Sequence, residues 1–263
     1  MILDLLPYLA VGLGAGVIAG LLGVGGGIII VPGLAFLLAG GEVSPDRLMH
    51  VSVGTSLACI VVTSISSLVA HHRRGAVDWM IFRRLGPGIA FGAVVGAVIA
   101  ADLRSETLAM VFGGFLLLVA LRMVLAGQPK PGRELPRNPA LSAWGTGIGT
   151  LSSLLGIGGG TMTVPLLAWS NVPLHRAVGT SAACGLPIAI AGTAAFIYTG
   201  WGLAGLPVGT TGHVYWPAFL AVVPAAVATA PLGARLAHAL PVTPLRIVFA
   251  IFITLVAMRM LLG

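Results

Sequence analysis

Two glycine triplets, Gly25–Gly26–Gly27 and Gly158–Gly159–Gly160, interrupt otherwise apolar sequence in LLGVGGGIIIVP (Leu21 to Pro32) and LLGIGGGTMTVP (Leu154 to Pro165). A helix that starts inside a membrane presents amides without intrahelical partners and the positive end of its dipole, which suits an anion. The second arms are expected to begin near Gly27–Ile28 and Gly160–Thr161, so these glycines and Thr161 are the candidate ligand contacts. Consecutive glycines let the backbone approach a ligand closely, and the proline five residues on can bend the arm. Tight helix packing is the plainer role for the same residues.

After each break comes a second duplicated pattern, HVSVGTSLAC (His50 to Cys59) and HRAVGTSAAC (His175 to Cys184). The hydroxyls of Thr55, Ser56, Thr180 and Ser181 can donate to an anion without burying a positive charge, which is costly in a membrane. Their alternative is bonding back to their own helix carbonyls. Cys59 and Cys184 would share a helix face with Thr55 and Thr180 at i, i+4, as substrate contacts or as small hydrophobes. His50 and His175 are candidates for coupling protonation to transport, against a bland role at the membrane interface. Arg122 and Arg259 lie close to helix ends, where their head groups reach the interface.

The elements that carry these residues are membrane helices. Hydrophobic residues make up 57% of the 263 and charged residues 8%, and the mean hydropathy of +1.05 excludes an ordinary soluble domain. Eight apolar stretches are long enough to enter or cross a bilayer: Leu5–Leu38, Val51–Ala70, Leu85–Ala101, Thr107–Ala126, Leu141–Trp169, Ala177–Thr199, Tyr215–Leu236 and Leu245–Leu262. The first has Asp4 and no basic residue ahead of it, so it is expected to be retained rather than cleaved as a signal peptide. A net charge of +7 sits in short loops, where it sets topology; nucleic acid is not the expected partner. The cysteines match no metal or redox spacing, and no nucleotide-hydrolysis or zinc-protease motif is present, so neither metal nor cofactor is expected.

The duplication extends beyond the breaks, pairing Val77 and Trp79 with Val214 and Trp216, Pro87 with Pro224, Gly96 with Gly233 and Arg122 with Arg259. The reading is an all-α polytopic membrane protein of two inverted repeats, each a glycine-broken, re-entrant segment plus three transmembrane helices. Repeat one covers 1–127, a proline- and charge-rich cytoplasmic linker 128–139, and repeat two 140–263. Basic residues support inversion, because dipping segments place eleven Lys and Arg on the cytoplasmic side against three outside, while crossing segments give nine against five. Length agrees in part: Ala143–Leu155 and Thr161–Ser170 would span roughly 20 and 15 Å, whereas Leu5–Leu22 reaches roughly 27 Å. Gly12, Gly16 and Gly20, like Gly88, Gly92 and Gly96, recur every four residues and read as helix-contact faces that permit a homodimer without requiring one.

The order GLLGVGGGIIIVP, VGTSLAC, RRGAVDW, repeated as SLLGIGGGTMTVP and VGTSAAC, resembles the sulfite exporter TauE/SafE family over essentially the whole chain. The second half departs at GWGLAG (Gly200 to Gly205), which lacks the basic loop of the first. The resemblance implies a multi-pass permease of the cytoplasmic (inner) membrane that exports sulfite, sulfoacetate or other small organosulfonates. A secondary transporter working by alternating access, with the breaks meeting near the midplane, is the leading reading. A small-anion channel and a cysteine-dependent membrane enzyme are the alternatives.

Overall fold

The computed structural model describes residues 2–22, 26–41, 43–125, 135, 138–239 and 242–262. In chain order these form α1 (Ile2–Leu22), α2 (Gly27–Leu38), a 3-10 turn (Pro45–Arg47), α3 (Leu48–Arg73), α4 (Trp79–Asp102), α5 (Ser105–Leu125), α6 (Asn138–Leu155), α7 (Gly160–Trp169) and α8 (Leu174–Thr199). A small hairpin of β1 (Thr210–Thr211) and β2 (Val214–Tyr215) precedes α9 (Trp216–Ala239) and α10 (Val242–Leu262). Among the described residues five spans, at Pro45–Arg73, Trp79–Asp102, Ser105–Leu125, Leu174–Thr199 and Trp216–Gly233, are long and apolar enough to cross a membrane. Shorter apolar helices cover Leu5–Leu21, Gly27–Leu38 and Ile247–Leu262, and the fold is that of an all-α polytopic membrane protein. The linker, but for Leu135 and the first residues of α6, lies outside the described residues.

Helix lengths correct one expectation. The first arm of the second broken segment starts at Asn138, not near Ala143, so its 18 residues reach about 27 Å. The 21 residues of α1 reach about 31 Å. Each first arm is thus nearly as long as a membrane is thick.

Small residues bring the backbones together. A Cβ on Gly88, Gly92 or Gly96 of α4 would collide with the Ser142, Thr146 or Thr150 carbonyl of α6, in ascending order, so α4 and α6 run parallel. The same arrangement recurs between α1 and α9, where Gly12 and Gly16 face the Val222 and Ala226 carbonyls and Gly233 faces that of Val17. Residues equated by the duplication make equated contacts: Gly145 meets the Leu85 carbonyl as Gly12 meets that of Val222, and Gly149 meets that of Ile89 as Gly16 meets that of Ala226. These glycine faces are thus filled by a helix of the other half.

At the centre α3 crosses α8, with Ser64 against Gly185 and Leu57 against Gly192, an antiparallel register. The ends follow. The end of the bundle where α3 finishes is where α4 starts, and α6, parallel to α4, starts there too. Helix α8 also begins at that end, four residues after α7 stops. The pair α6–α7 therefore enters and leaves by one end, and α1–α2, by the same reasoning through α9 and the start of α3, by the other.

Candidate functional site

The second break is built by two helix signals in sequence. Gly156 adopts φ +66°, its N–H donates to the Ser153 carbonyl at 3.1 Å, and the Ile157 N–H donates to that of Ser152 at 2.9 Å. This is a Schellman stop, in which glycine tolerates the left-handed conformation that closes α6. Three residues later Gly159 becomes the N-cap of α7, and its carbonyl accepts the Thr163 N–H at 2.9 Å. In the first break Gly26 caps α2 and its carbonyl accepts from Ile29 and Ile30 at 3.0 and 2.9 Å. Neither cap glycine has a side chain to offer the first amides of the arm, which is where Ser, Thr, Asp or Asn ordinarily supplies an acceptor. Gly25 lies outside the described residues.

The two breaks meet. Gly27 abuts the Gly156 carbonyl and the Ile157 Cα, and a Cβ on Gly27 would also come 3.1 Å from Ile60 near the midpoint of α3. A Cβ on Gly159 would stand 3.2 Å from the Gly185 nitrogen and 3.3 Å from the Ser181 carbonyl, at the middle of α8. Gly26, Gly27, Gly158 and Gly159 are buried, while Gly160 and Thr161 are half-buried. The Thr161 hydroxyl donates back to the Gly158 carbonyl at 3.4 Å.

The duplicated hydroxyls divide into two kinds. Ser56 donates to the Gly156 carbonyl at 2.8 Å and so ties α3 to the facing break. Its counterpart Ser181 is 1% exposed, and its Oγ has no hydrogen-bond partner. Thr55 and Thr180, more than a turn inside α3 and α8, accept the backbone N–H of Tyr215 and Asp78 respectively, each at 2.9 Å. Gly54 and Gly179 beside them receive the His213 and Ala76 carbonyls of the same loops. Asp78 goes on to cap α4, its carboxylate accepting from Met80 and Ile81 at 3.0 and 3.1 Å. Cys59 and Cys184 are free thiols with no exposure.

Sequence reasoning missed further polar groups. Ser152 and Ser153 at the end of α6, Thr163 in α7 and Thr193 in α8 hold buried hydroxyls without partners. A Cβ on Gly192 would come 2.7 Å from the Ser153 Oγ, and one on Gly185 would lie between the Ser64 Oγ at 3.0 Å and the Gly159 N–H at 3.7 Å. At the aligned positions of the first half stand Ala19, Gly20 and Ile30 in place of Ser152, Ser153 and Thr163. A half-by-half reading of the duplication for its differences would have found this asymmetry.

The histidines also part company. His175 is exposed at the start of α8, whereas His50 is 1% exposed at the start of α3, the opposite end of the bundle. His50 lies instead against His213 of the hairpin, ring centroids 5.3 Å apart and planes tilted by 30°. Burial, with a smaller push from the His50 and Arg47 charges, lowers the His213 imidazole to about 4 against the pull of its bond to the Phe196 carbonyl.

Residues 8–260 match the family described as Sulfite exporter TauE/SafE. A probable membrane transporter protein of Haemophilus influenzae is 37% identical over 98% of both chains. The probable membrane transporter protein YunE of Bacillus subtilis is 27% identical over 95% of this chain and 94% of its own length. One from Methanocaldococcus jannaschii is 33% identical over 67% of each. No solved structure matches. With broken helices meeting inside an apolar bundle and this likeness along nearly its whole length, the chain belongs to the sulfite exporter TauE/SafE family and is a membrane transporter, not an enzyme.

Proposed function

We propose that the chain is a secondary transporter that exports sulfite or a small organosulfonate across the cytoplasmic membrane by alternating access. The observation that carries the reading is the meeting of two helix starts, Gly26–Gly27 and Gly159–Gly160, buried but for the half-buried Gly160, without side-chain caps and level with the middles of α3 and α8. Uncapped amides at a helix N-terminus favour an oxyanion and supply no compensating buried charge. Irregular backbone at membrane depth persists where it lines a substrate path. In this reading the amides at Gly26, Gly27 and Gly158–Gly160 cradle the anion, with Ser181, Thr163 and, on leaving the Gly158 carbonyl, Thr161 as hydroxyl donors, so the second break makes the larger share of contacts. Gly25, by its place in the duplicated triplet, belongs to the same set; Ser56 holds the Gly156 carbonyl turned away from the anion.

The two halves are read as inverted repeats, each dipping its broken segment from one face, which makes the empty carrier able to present the site to either side. The test is uptake of labelled sulfite and sulfoacetate into proteoliposomes by wild type, Ser181→Ala and Gly159→Leu. Saturable uptake by wild type, with KM raised several-fold by Ser181→Ala and uptake abolished in a folded Gly159→Leu protein, supports the anion site. Absence of uptake for both anions by folded wild type sinks the substrate assignment, and conductance without saturation sinks alternating access.

A further inference from the structure

The buried histidine pair is a site that the anion path does not use. His50 Nε2 lies 3.0 Å from the Ala100 carbonyl oxygen and 3.1 Å from that of Leu103, in the turn between α4 and α5. His213 Nδ1 lies 3.2 Å from the Phe196 carbonyl oxygen of α8. A carbonyl only accepts, so each of these nitrogens carries the ring hydrogen, and the tautomers are fixed. That leaves His50 Nδ1 and His213 Nε2 as lone pairs, and both are buried without a partner. Two buried acceptors without donors thus stand in adjacent rings, 5.3 Å between centroids.

We propose that His50 and His213 form a single-proton site in which one hydron taken from water is held by the paired imidazoles, and that its arrival loosens the hairpin from α3. The uptake moves one H+ from hydronium onto a ring lone pair, leaves water behind and makes the pair cationic. A second proton is opposed by the first and by Arg47, whose guanidinium charge acts on the His213 ring. From the other elements around the pair, Asp46 brings its backbone carbonyl; Asp102, Arg104 and Glu106 at the α4–α5 turn hold exposed side chains; and Tyr215 of β2 rests on Tyr8 of α1. The end of α8 contributes the Phe196 ring and no charge.

The hairpin is the element the proton acts on. His213 gives its carbonyl to the surface of Gly54 and Tyr215 its N–H to Thr55, so the segment that holds one imidazole is also strapped across α3, which lines the break. The site exists once. The residue aligned with His213 in the first half is Ala76, and the one aligned with His50 is the exposed His175, so protons from only one end of the bundle are sensed. Its coupling to flux rests on the transport reading above; the proton site itself does not.

The experiment is a pH titration of ¹⁵N-histidine-labelled full-length protein in nanodiscs by NMR, with His50→Gln and His213→Asn as assigning variants. Gln and Asn keep an amide donor near the Nε2 and Nδ1 positions, so both preserve the bonds to the backbone carbonyls. The expected result is one proton shared by the His50 and His213 signals, taken up well below the ordinary imidazole range, with the joint titration lost in either variant. Independent titration of the two rings, or uptake of two protons, overturns the site. In proteoliposomes, anion flux is expected to change several-fold between pH 7 and 4 in wild type and by less than twofold in His213→Asn. A wild-type flux that is saturable but indifferent to pH overturns the coupling while leaving the transporter reading intact. No flux of any anion, with the shared proton still seen, overturns the transporter reading and leaves the site.

Discussion

The Thr55 hydroxyl accepts the Tyr215 N–H at 2.9 Å, and the Thr180 hydroxyl, 125 residues on, accepts the Asp78 N–H at the same distance. Each threonine of a GTS motif thus fastens the loop that opens the fourth helix of the opposite half. The glycine before it makes room, and the serine after it faces the break. The motif is a joint between halves before it is anything else.

Thr55→Val and Thr180→Val should each take the hydroxyl acceptor from a part-buried N–H, at a cost of about 1 kcal/mol. Thermal unfolding of the purified protein should show a lowered midpoint for both, near-wild-type values for Thr→Ser, and unchanged KM in the mutants that fold. A raised KM with unaltered stability would instead make the threonines ligands of the anion.

Neighbouring glycines give an internal control on helix packing. A Cβ on Gly145 would sit 2.6 Å from the Leu85 carbonyl oxygen, while one on Gly147 meets nothing within 4 Å; Gly12 and Gly14 stand in the same relation. Ala at 145 or 12 must push helices apart, costing about 1–3 kcal/mol. Ala at 147 or 14 should be neutral or stabilising by up to about 1 kcal/mol, since Gly weakens a helix interior. Equal effects at the two members of a pair would contradict the α4–α6 and α1–α9 packing.

Much of this was legible in the sequence because it repeats. Hydropathy located the spans, and the pairing of Gly96 with Gly233 and of the two GTS motifs turned out to be a pairing of contacts. The extra turn of α6 was hidden because Asn138 and Pro139 read as linker, yet proline is tolerated in the first turn of a helix. The His50–His213 contact was hidden for another reason. His213 has no histidine at its aligned position, and a contact 163 residues apart depends on where a glycine-rich loop folds back, which local pattern does not encode.

Cys59 and Cys184 are fully buried and unpaired by disulfide, one turn beyond the fastening threonines. Packed as small hydrophobes, they should tolerate Cys→Ala singly and together, with uptake kept within about twofold and a modest loss of stability of about 1 kcal/mol. Membrane-impermeant maleimide should leave the resting protein unlabelled. Uptake abolished in a folded Cys→Ala protein would restore a direct role for the thiols.

The pH dependence of stability follows from His213. Its imidazole is held at about 4 in the folded state against an ordinary 6.5, chiefly by burial, so it folds neutral. A histidine whose folded value is lowered contributes nothing against folding above the unfolded value, and costs stability as pH falls through 6.5 toward 4, because there only the unfolded or unclasped chain binds the proton. The full drop corresponds to about 3 kcal/mol, reached near pH 4. Wild type should therefore lose thermal midpoint steadily between pH 6.5 and 4.5, and hydrogen exchange at the Tyr215 amide, corrected for its intrinsic pH dependence, should quicken over the same window. In His213→Asn the loss should shrink markedly, since no imidazole remains there to charge. Arg47 acts in the same direction on the ring, so Arg47→Gln should raise the lower edge of the window and make the loss slightly smaller. A wild-type profile flat from 7 to 4.5, or an unchanged slope in His213→Asn, would show that the hairpin does not answer to this proton.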